Sequence, residues 1–151
     1  MDAFTLRTDG GARGNPGPAG AGFVLEDPSG AIVRSGARYL GFATNNVAEY
    51  EALICGLRVA DAHGVRRLRV CADSELVVKQ INGAYRVKNE GLKPLFATAS
   101  KLLRRFESVD MVHVRRENNA AADALANEAM DLRADVGDGI TDEPDPQARL
   151  F

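Results

Sequence analysis

The chain contains no tryptophan, and only two of its 151 residues are cysteine, Cys55 and Cys71. Two cysteines are too few for the disulfide framework that holds small secreted domains together. Cys55 falls on the apolar stripe of a predicted helix and Cys71 inside a predicted strand, so both are expected to be reduced packing residues of a cytosolic protein. No apolar run reaches the ~20 residues that a membrane-crossing helix needs. Met1-Asp2-Ala3-Phe4 shows no basic segment followed by an apolar one, so no signal peptide is expected. There is no internal repeat and no strong excess of one charge. The 19 basic and 21 acidic residues leave a net charge of −2.

That balance hides a division. Residues 131–151 carry six acids against Arg133 and Arg149, a net of −4, which leaves +2 for residues 1–130. The body is thus more basic than the whole, a property that favours polyanionic partners. At 45% hydrophobic and 26% charged residues the composition is that of a globular domain. A chain of this length hides roughly 70% of its unfolded surface, enough for a self-sufficient core. We read residues 1–133 as one folded domain. From Ala134 the chain has few apolar residues, with Gly137, Gly139, Pro144 and Pro146 among acids, and is expected to be a flexible acidic tail over 134–151.

Periodicity gives the elements. Phe4, Leu6 and Thr8 alternate with Thr5, Arg7 and Asp9, which predicts a strand over residues 3–9. Gly10 to Pro18 is turn chemistry, and strands follow at about 20–26 and 31–39, separated by Asp27-Pro28-Ser29-Gly30. From Asn46 the period becomes helical, with Tyr50, Leu53, Ile54, Leu57 and Ala60 on one face and an end near His63-Gly64. A strand at 67–72, helices at about 74–82 and 92–107, a short strand at 110–114 and a helix at about 119–133 complete the order βββαβααβα. A helix between strands implies a parallel crossover. The expected fold is therefore α/β, a mixed five-stranded sheet with helices on both faces.

Four acids stand at the ends of these elements. Asp9 closes the first strand and Asp73 the fourth, while Glu49 and Asp123 lie near helix starts. Each has a plain structural reading. Asn46 and Glu49 can form a capping box, Asp73-Ser74 can cap the next helix, and Asp123 can be a surface residue opposite Leu125, Ala129 and Leu132. His63 suits a helix C-terminus as a dipole partner, and His113 reads as structural or solvated. Taken together, carboxylates converging at strand ends repel one another unless a cation neutralises them. All-oxygen donors without neighbouring Cys or His point to Mg²⁺ or Mn²⁺, a set suited to in-line attack on a phosphodiester.

The combination of stretches resembles type 1 ribonuclease H. They are Thr8-Asp9-Gly10-Gly11 with Gly14-Asn15-Pro16-Gly17, Thr44-Asn45-Asn46-Val47-Ala48-Glu49, Asp73-Ser74, and Arg116-Glu117 with Asn119 and Ala122-Asp123. The resemblance covers residues 3–132 and implies a catalytic, metal-holding quartet of Asp9, Glu49, Asp73 and Asp123. It implies two Mg²⁺ ions, replaceable by Mn²⁺. The implied reaction is cleavage of the RNA strand of RNA–DNA hybrids to 3′-hydroxyl and 5′-phosphate ends by a cytoplasmic monomer. Gly10, Asn15, Asn45 and Asn46 are implied to read minor-groove edges and 2′-hydroxyls, and Thr44 to hold a DNA-strand phosphate. Arg13, Arg116 and Asn119 join them on the substrate side.

The chain departs from the family's pattern in three places. The loop Arg115-Arg116-Glu117-Asn118 lacks the His that many members carry there. Glu75 stands where some members have Gln. The connection Gly83–Gly91 is too short for the basic handle found in part of the family, which leaves hybrid binding to Lys79, Arg86, Lys88 and Lys93. Two rival readings remain: another nuclease of the same fold, exonuclease- or integrase-like, and a hybrid-binding module that no longer cuts.

Overall fold

The alternating residues near the N-terminus build strand β1 (Phe4–Ala12) in the computed structural model, which describes residues 2–137. It pairs antiparallel with β2 (Gly17–Glu26), and β2 pairs antiparallel with β3 (Ile32–Ala43). The first turn is tighter than its glycine content suggests. Both strands extend into the Gly-rich stretch, and Arg13 N donates to Pro18 O at 2.8 Å to close the connection. At the second turn one Asp27 carboxylate oxygen accepts from the N–H groups of Ser29 and Ala31, at 2.9 and 3.0 Å, the local bond that makes Asp a turn residue.

Helix α1 (Asn45–Ala62) leads to β4 (Arg67–Ala72), followed by α2 (Glu75–Ile81), α3 (Lys93–Leu103), β5 (Ser108–His113), a 3-10 turn (Arg116–Asn119), α4 (Ala120–Leu132) and β6 (Val136–Gly137). The sheet order is β5-β4-β1-β2-β3-β6, with β4 parallel to both β1 and β5. The mixed α/β architecture expected from the sequence is present, with six strands in place of five. The extra strand arises because α4 ends on Arg133 in the left-handed region, φ 52°, which turns the chain back along the sheet. Asp135 Oδ1 then accepts from Tyr39 N at 2.8 Å, and Val136 and Gly137 pair with Ala37 and Gly36. The short strand covers an edge that β3 would otherwise leave open. Of the residues expected in the tail, Val136 and Gly137 thus join the sheet and Asp135 bonds its edge, and 138–151 lie outside the described residues.

α1 packs on one face of the sheet, where Leu6, Phe23 and Leu25 meet Tyr50, Leu53, Ile54 and Leu57. Its expected apolar stripe is only part of what is buried. Ala52, Gly56 and Val59 are covered as well, because α1 lies between the sheet and α3. α3 contributes Ala99, with Leu95, Phe96, Leu102 and Leu103 partly buried against the same core, and Leu92 and Phe106 flank it. Both cysteines are buried and free, and burial raises both thiol pKa values, that of Cys55 to about 11. His63 caps the end of α1 and stacks edge-on against Phe4, with ring centroids 5.8 Å apart. No helix among the described residues is long and apolar enough to cross a membrane.

α4 covers the opposite face, seated on Gly20 and Gly22 of β2. A Cβ on Gly22 would overlap the Ala122 carbonyl, so the helix backbone rests directly on the strand. Its buried residues are consequently small: Ala122, Ala126 and Ala129, with Met130 at the end. The apolar face expected at Leu125, Ala129 and Leu132 is rotated, and Leu132 is 61% exposed. Close backbone approach selects alanine and leaves no room for leucine. Gly22→Ala is therefore expected to lower stability by about 2–3 kcal/mol by overpacking. Thermal melting followed by circular dichroism should show a fall of about 5–10 °C in Tm; an unchanged Tm would mean that α4 does not bear on this strand.

Candidate active site

The parallel register of β1 and β4 ends at the pair Thr8–Ala72. The next residue on each chain is an aspartate, so Asp9 and Asp73 emerge side by side where the two strands part. Asp9 is 5% exposed. Asp73 does not cap α2. Ser74 does so, its Oγ accepting from Val77 N at 3.2 Å, which leaves the Asp73 carboxylate free. One of its oxygens is buried without a hydrogen-bond partner among the described residues, and the other lies 3.8 Å from Arg116 Nε.

Glu49 arrives from α1, and here the capping-box reading fails. The cap is Thr44, whose Oγ1 accepts from Val47 N at 3.2 Å. Glu49 Oε1 instead accepts from Gly10 N at 2.8 Å, across the interface between helix and strand. Gly10 makes this possible, since a Cβ there would overlap the Ala48 carbonyl. Asp9, Glu49 and Asp73 each offer a carboxylate oxygen within 4.8 Å of the others. Asp123, half-buried in the first turn of α4, lies near enough to Asp9 to raise its carboxyl pKa, but it is not among the three acids that meet within 4.8 Å. α4 thus adds the fourth acid from the opposite face of the sheet.

This crowding has an electrostatic signature. Burial, then the neighbouring Asp123, then the charges of Asp73 and Glu49 raise the Asp9 carboxyl to about 9. Burial and the Asp73 charge raise Glu49 to about 9, against the opposing pull of the Gly10 N–H and Arg116. Near neutral pH, ionising acids held this far above their ordinary range is unfavourable, and a cation beside them would relieve that. The donors present fit a hard divalent ion, because they are all carboxylate oxygens and one of them, on Asp73, is buried without a partner.

Beside the acids, Asn45 N donates to Asn15 Oδ1 at 3.0 Å, and Ala12 N donates to Asn45 Oδ1 at 2.8 Å. The two asparagines stitch the β1–β2 turn to the start of α1. A cavity of about 330 Å³ opens there, lined by Asn15, Thr44, Asn46, Val47, Asn89, Gly91 and Leu92. Asn89 escaped the sequence reading. Its Oδ1 accepts from Gly91 N and Leu92 N, at 2.7 and 3.2 Å, and an Asn ahead of a predicted helix is signal for a turn, not for a site. Another cavity, of about 300 Å³ beside Ala3, Thr5, Arg69 and Asp110, shares no residue with the acids.

Two expected substrate-side residues are engaged elsewhere. Arg13 pairs with Asp131 at 2.7 Å and bonds Asn127, so its guanidinium lies along α4. Asn119 is 1% exposed, and its Nδ2 donates to the Thr8 carbonyl at 2.6 Å. A side chain so enclosed presents nothing to a substrate. Of the basic residues in the middle helices, Lys79 sits 3.7 Å from Glu75 and over the Tyr85 ring, and Lys93 pairs with Glu90 at 2.7 Å.

Comparison with known proteins gives the following. A family model described as reverse transcriptase-like matches residues 7–129. The chain is 46% identical over 123 residues to a ribonuclease HI of Halobacterium salinarum, covering 82% of this chain and 62% of that protein. It is 44% identical over 131 residues to a bifunctional protein of Mycobacterium tuberculosis, covering 85% of this chain and 36% of that one. It therefore spans less than two thirds of either relative's length. Among solved structures, the crystal structure of ribonuclease H1 from H. salinarum superposes with a TM-score of 0.83 at 43% identity, over 85% of this chain and 98% of that one. A ribonuclease H1 isolated from compost, crystallised with an RNA/DNA hybrid, superposes with a TM-score of 0.82 at 44% identity, over 86% and 98%.

The raised carboxyls make the stability of the metal-free protein depend on pH. A carboxyl whose folded pKa lies above its unfolded value stabilises the fold below that unfolded value, near 4. The contribution is lost as pH rises through the folded value, about 9 for Asp9 and Glu49. In EDTA, Tm should fall between these limits, and Asp9→Asn should flatten the decline and raise Tm at pH 7. Parallel melting curves for the two proteins across the range would refute the crowded site.

Proposed function

The chain belongs to the ribonuclease H family, and on that premise we propose that it is a metal-dependent endonuclease that hydrolyses the RNA strand of RNA–DNA hybrids. The observation that carries this reading is the meeting of Asp9, Glu49 and Asp73 within 4.8 Å of one another, with Asp123 brought beside Asp9 by α4. These four residues would hold two divalent cations, Mg²⁺ or Mn²⁺. When bound, such ions lower the pKa of the attacking water and neutralise the departing 3′ oxygen, giving 3′-hydroxyl and 5′-phosphate products. The chain's own residues supply position. Gly10 N fixes one oxygen of Glu49, and the parting strands aim Asp9 and Asp73 together. Arg116, 80% exposed and 3.8 Å from Asp73, would place a cation beside the reacting phosphate. No residue of the set is a covalent nucleophile, which suits a reaction governed by positioning and charge.

Substrate choice is assigned to the rim. Asn15, Asn45 and Gly10 are the candidates for reading a shallow minor groove with its 2′-hydroxyls, the asparagines through side-chain amides beside the acids. Thr44 and Asn46 line the adjoining cavity, Thr44 as the candidate for gripping a DNA-strand phosphate and Asn46 for the groove. That the compost enzyme, 44% identical, was crystallised with an RNA/DNA hybrid supports a hybrid substrate. A cutting-deficient binding module is disfavoured by the complete quartet, and a DNA nuclease by the asparagine rim.

Cleavage of matched hybrid, double-stranded RNA and double-stranded DNA in Mg²⁺, Mn²⁺, Zn²⁺ and EDTA tests the reading. Hybrid is expected to be cut in Mg²⁺ or Mn²⁺, not in EDTA or Zn²⁺ alone. Asp73→Asn should lower kcat by at least ~100-fold, the scale of losing a charge-stabilising group, with the far-UV spectrum unchanged. Equal cutting of double-stranded RNA and hybrid would remove the substrate assignment. Full cleavage in EDTA would remove the metal.

A further inference from the structure

An asparagine directly before a helix ordinarily turns its side chain onto the free N–H groups of the first turn. Asn119 holds that position ahead of α4, yet its side chain makes no capping bond. Its Nδ2 is committed to the Thr8 carbonyl, across 111 residues of sequence. Its Oδ1 is buried without a partner among the described residues. A position selected for stability alone would cap the helix or carry an apolar side chain, because a buried acceptor left unpaired is destabilising. The bond makes sense through what it joins. Thr8 is the last β1 residue in register with β4, and Asp9 follows it. Asn119 opens α4, and Asp123 lies one turn further along. The amide thus bridges the two elements that carry Asp9 and Asp123. A weaker strut runs beside it, from Arg7 Nη1 to Asn118 O at 3.0 Å.

We propose that Asn119 is a positioning residue that holds α4 against β1 so that Asp9 and Asp123 stay together for cation binding, without touching substrate. The proposal rests on the reading of the four acids as a metal-holding nuclease site. Two carboxylates repel when ionised, and a helix start seated on β2 but no longer tied to β1 would let them separate. Without the amide, α4 keeps its seat on Gly20 and Gly22 and its ties to Arg13 further along. The fold should therefore survive while the spacing of the acids loosens.

Asn119→Ala and Asn119→Ser test this, measured as Tm, as Mn²⁺ affinity by calorimetry on the free protein, and as kcat and KM for hybrid cleavage in Mg²⁺. Groups that orient ligands from behind typically contribute about 10–100-fold to metal affinity or activity. We expect Mn²⁺ affinity and kcat to fall at least ~10-fold, with KM within about 2-fold of the unaltered protein. A raised KM with kcat and Mn²⁺ affinity unchanged would make Asn119 a substrate contact and overturn the proposal. A lowered Tm with both unchanged would make it purely structural, and failure of both variants to fold would do the same. If the unaltered protein binds Mn²⁺ but does not cut hybrid, the nuclease reading falls and the Mn²⁺ comparison still decides the role of Asn119. If it does not bind Mn²⁺, both fall.

Discussion

The parallel pairing of β1 with β4 runs from Phe4–Leu68 to Thr8–Ala72 and stops there. Every part of the site is referred to that stopping point. Two neighbouring strands that end in register deliver their next side chains to the same edge, and in this chain both next residues are aspartate. Had β4 been shifted by one residue, the side-chain alternation would have sent Asp73 to a different neighbour. The helices are then arranged around the edge: α1 brings Glu49 over β1 and α4 brings Asp123 from the other face.

Two glycine contacts set how near these helices come. At Gly10 the strand backbone meets the Ala48 carbonyl, and at Gly22 it meets the Ala122 carbonyl. Each missing Cβ removes a layer of side chain between helix and strand, and an acid sits immediately after each of those alanines. The same residues that tighten the packing therefore shorten the reach of Glu49 and Asp123. The cost appears as electrostatics. The fold holds Asp9 and Glu49 largely out of water beside like-charged groups. Local conflict of this kind, inside an otherwise consistent structure, is what a functional site leaves behind.

Much of the arrangement was legible in the chain. The alternation of Phe4, Leu6 and Thr8 marked β1, the stripe from Tyr50 to Ala60 marked α1, and Asp27 to Gly30 marked a turn that forms as expected. The four acids stood out by their places at element ends. Less legible were the jobs of individual polar residues. Glu49 bonds Gly10 and not the α1 cap, Ser74 and not Asp73 caps α2, and Arg13 and Asn119 serve α4 and β1. A polar residue near a helix start has several partners within reach in sequence, and only the packed structure shows a nearer one from a distant segment.

By itself, then, the sequence determined the elements, the mixed α/β order and the identity of the acids, because those follow from side-chain period and residue type, which are local. The tertiary structure alone decided the sixth strand at Val136–Gly137, the alanine face of α4 and the closeness of the carboxylates. These depend on backbone approach between segments far apart in the chain. Nothing local in Ala122 or Gly22 says that one will rest on the other, yet that contact sets how closely α4 approaches β2.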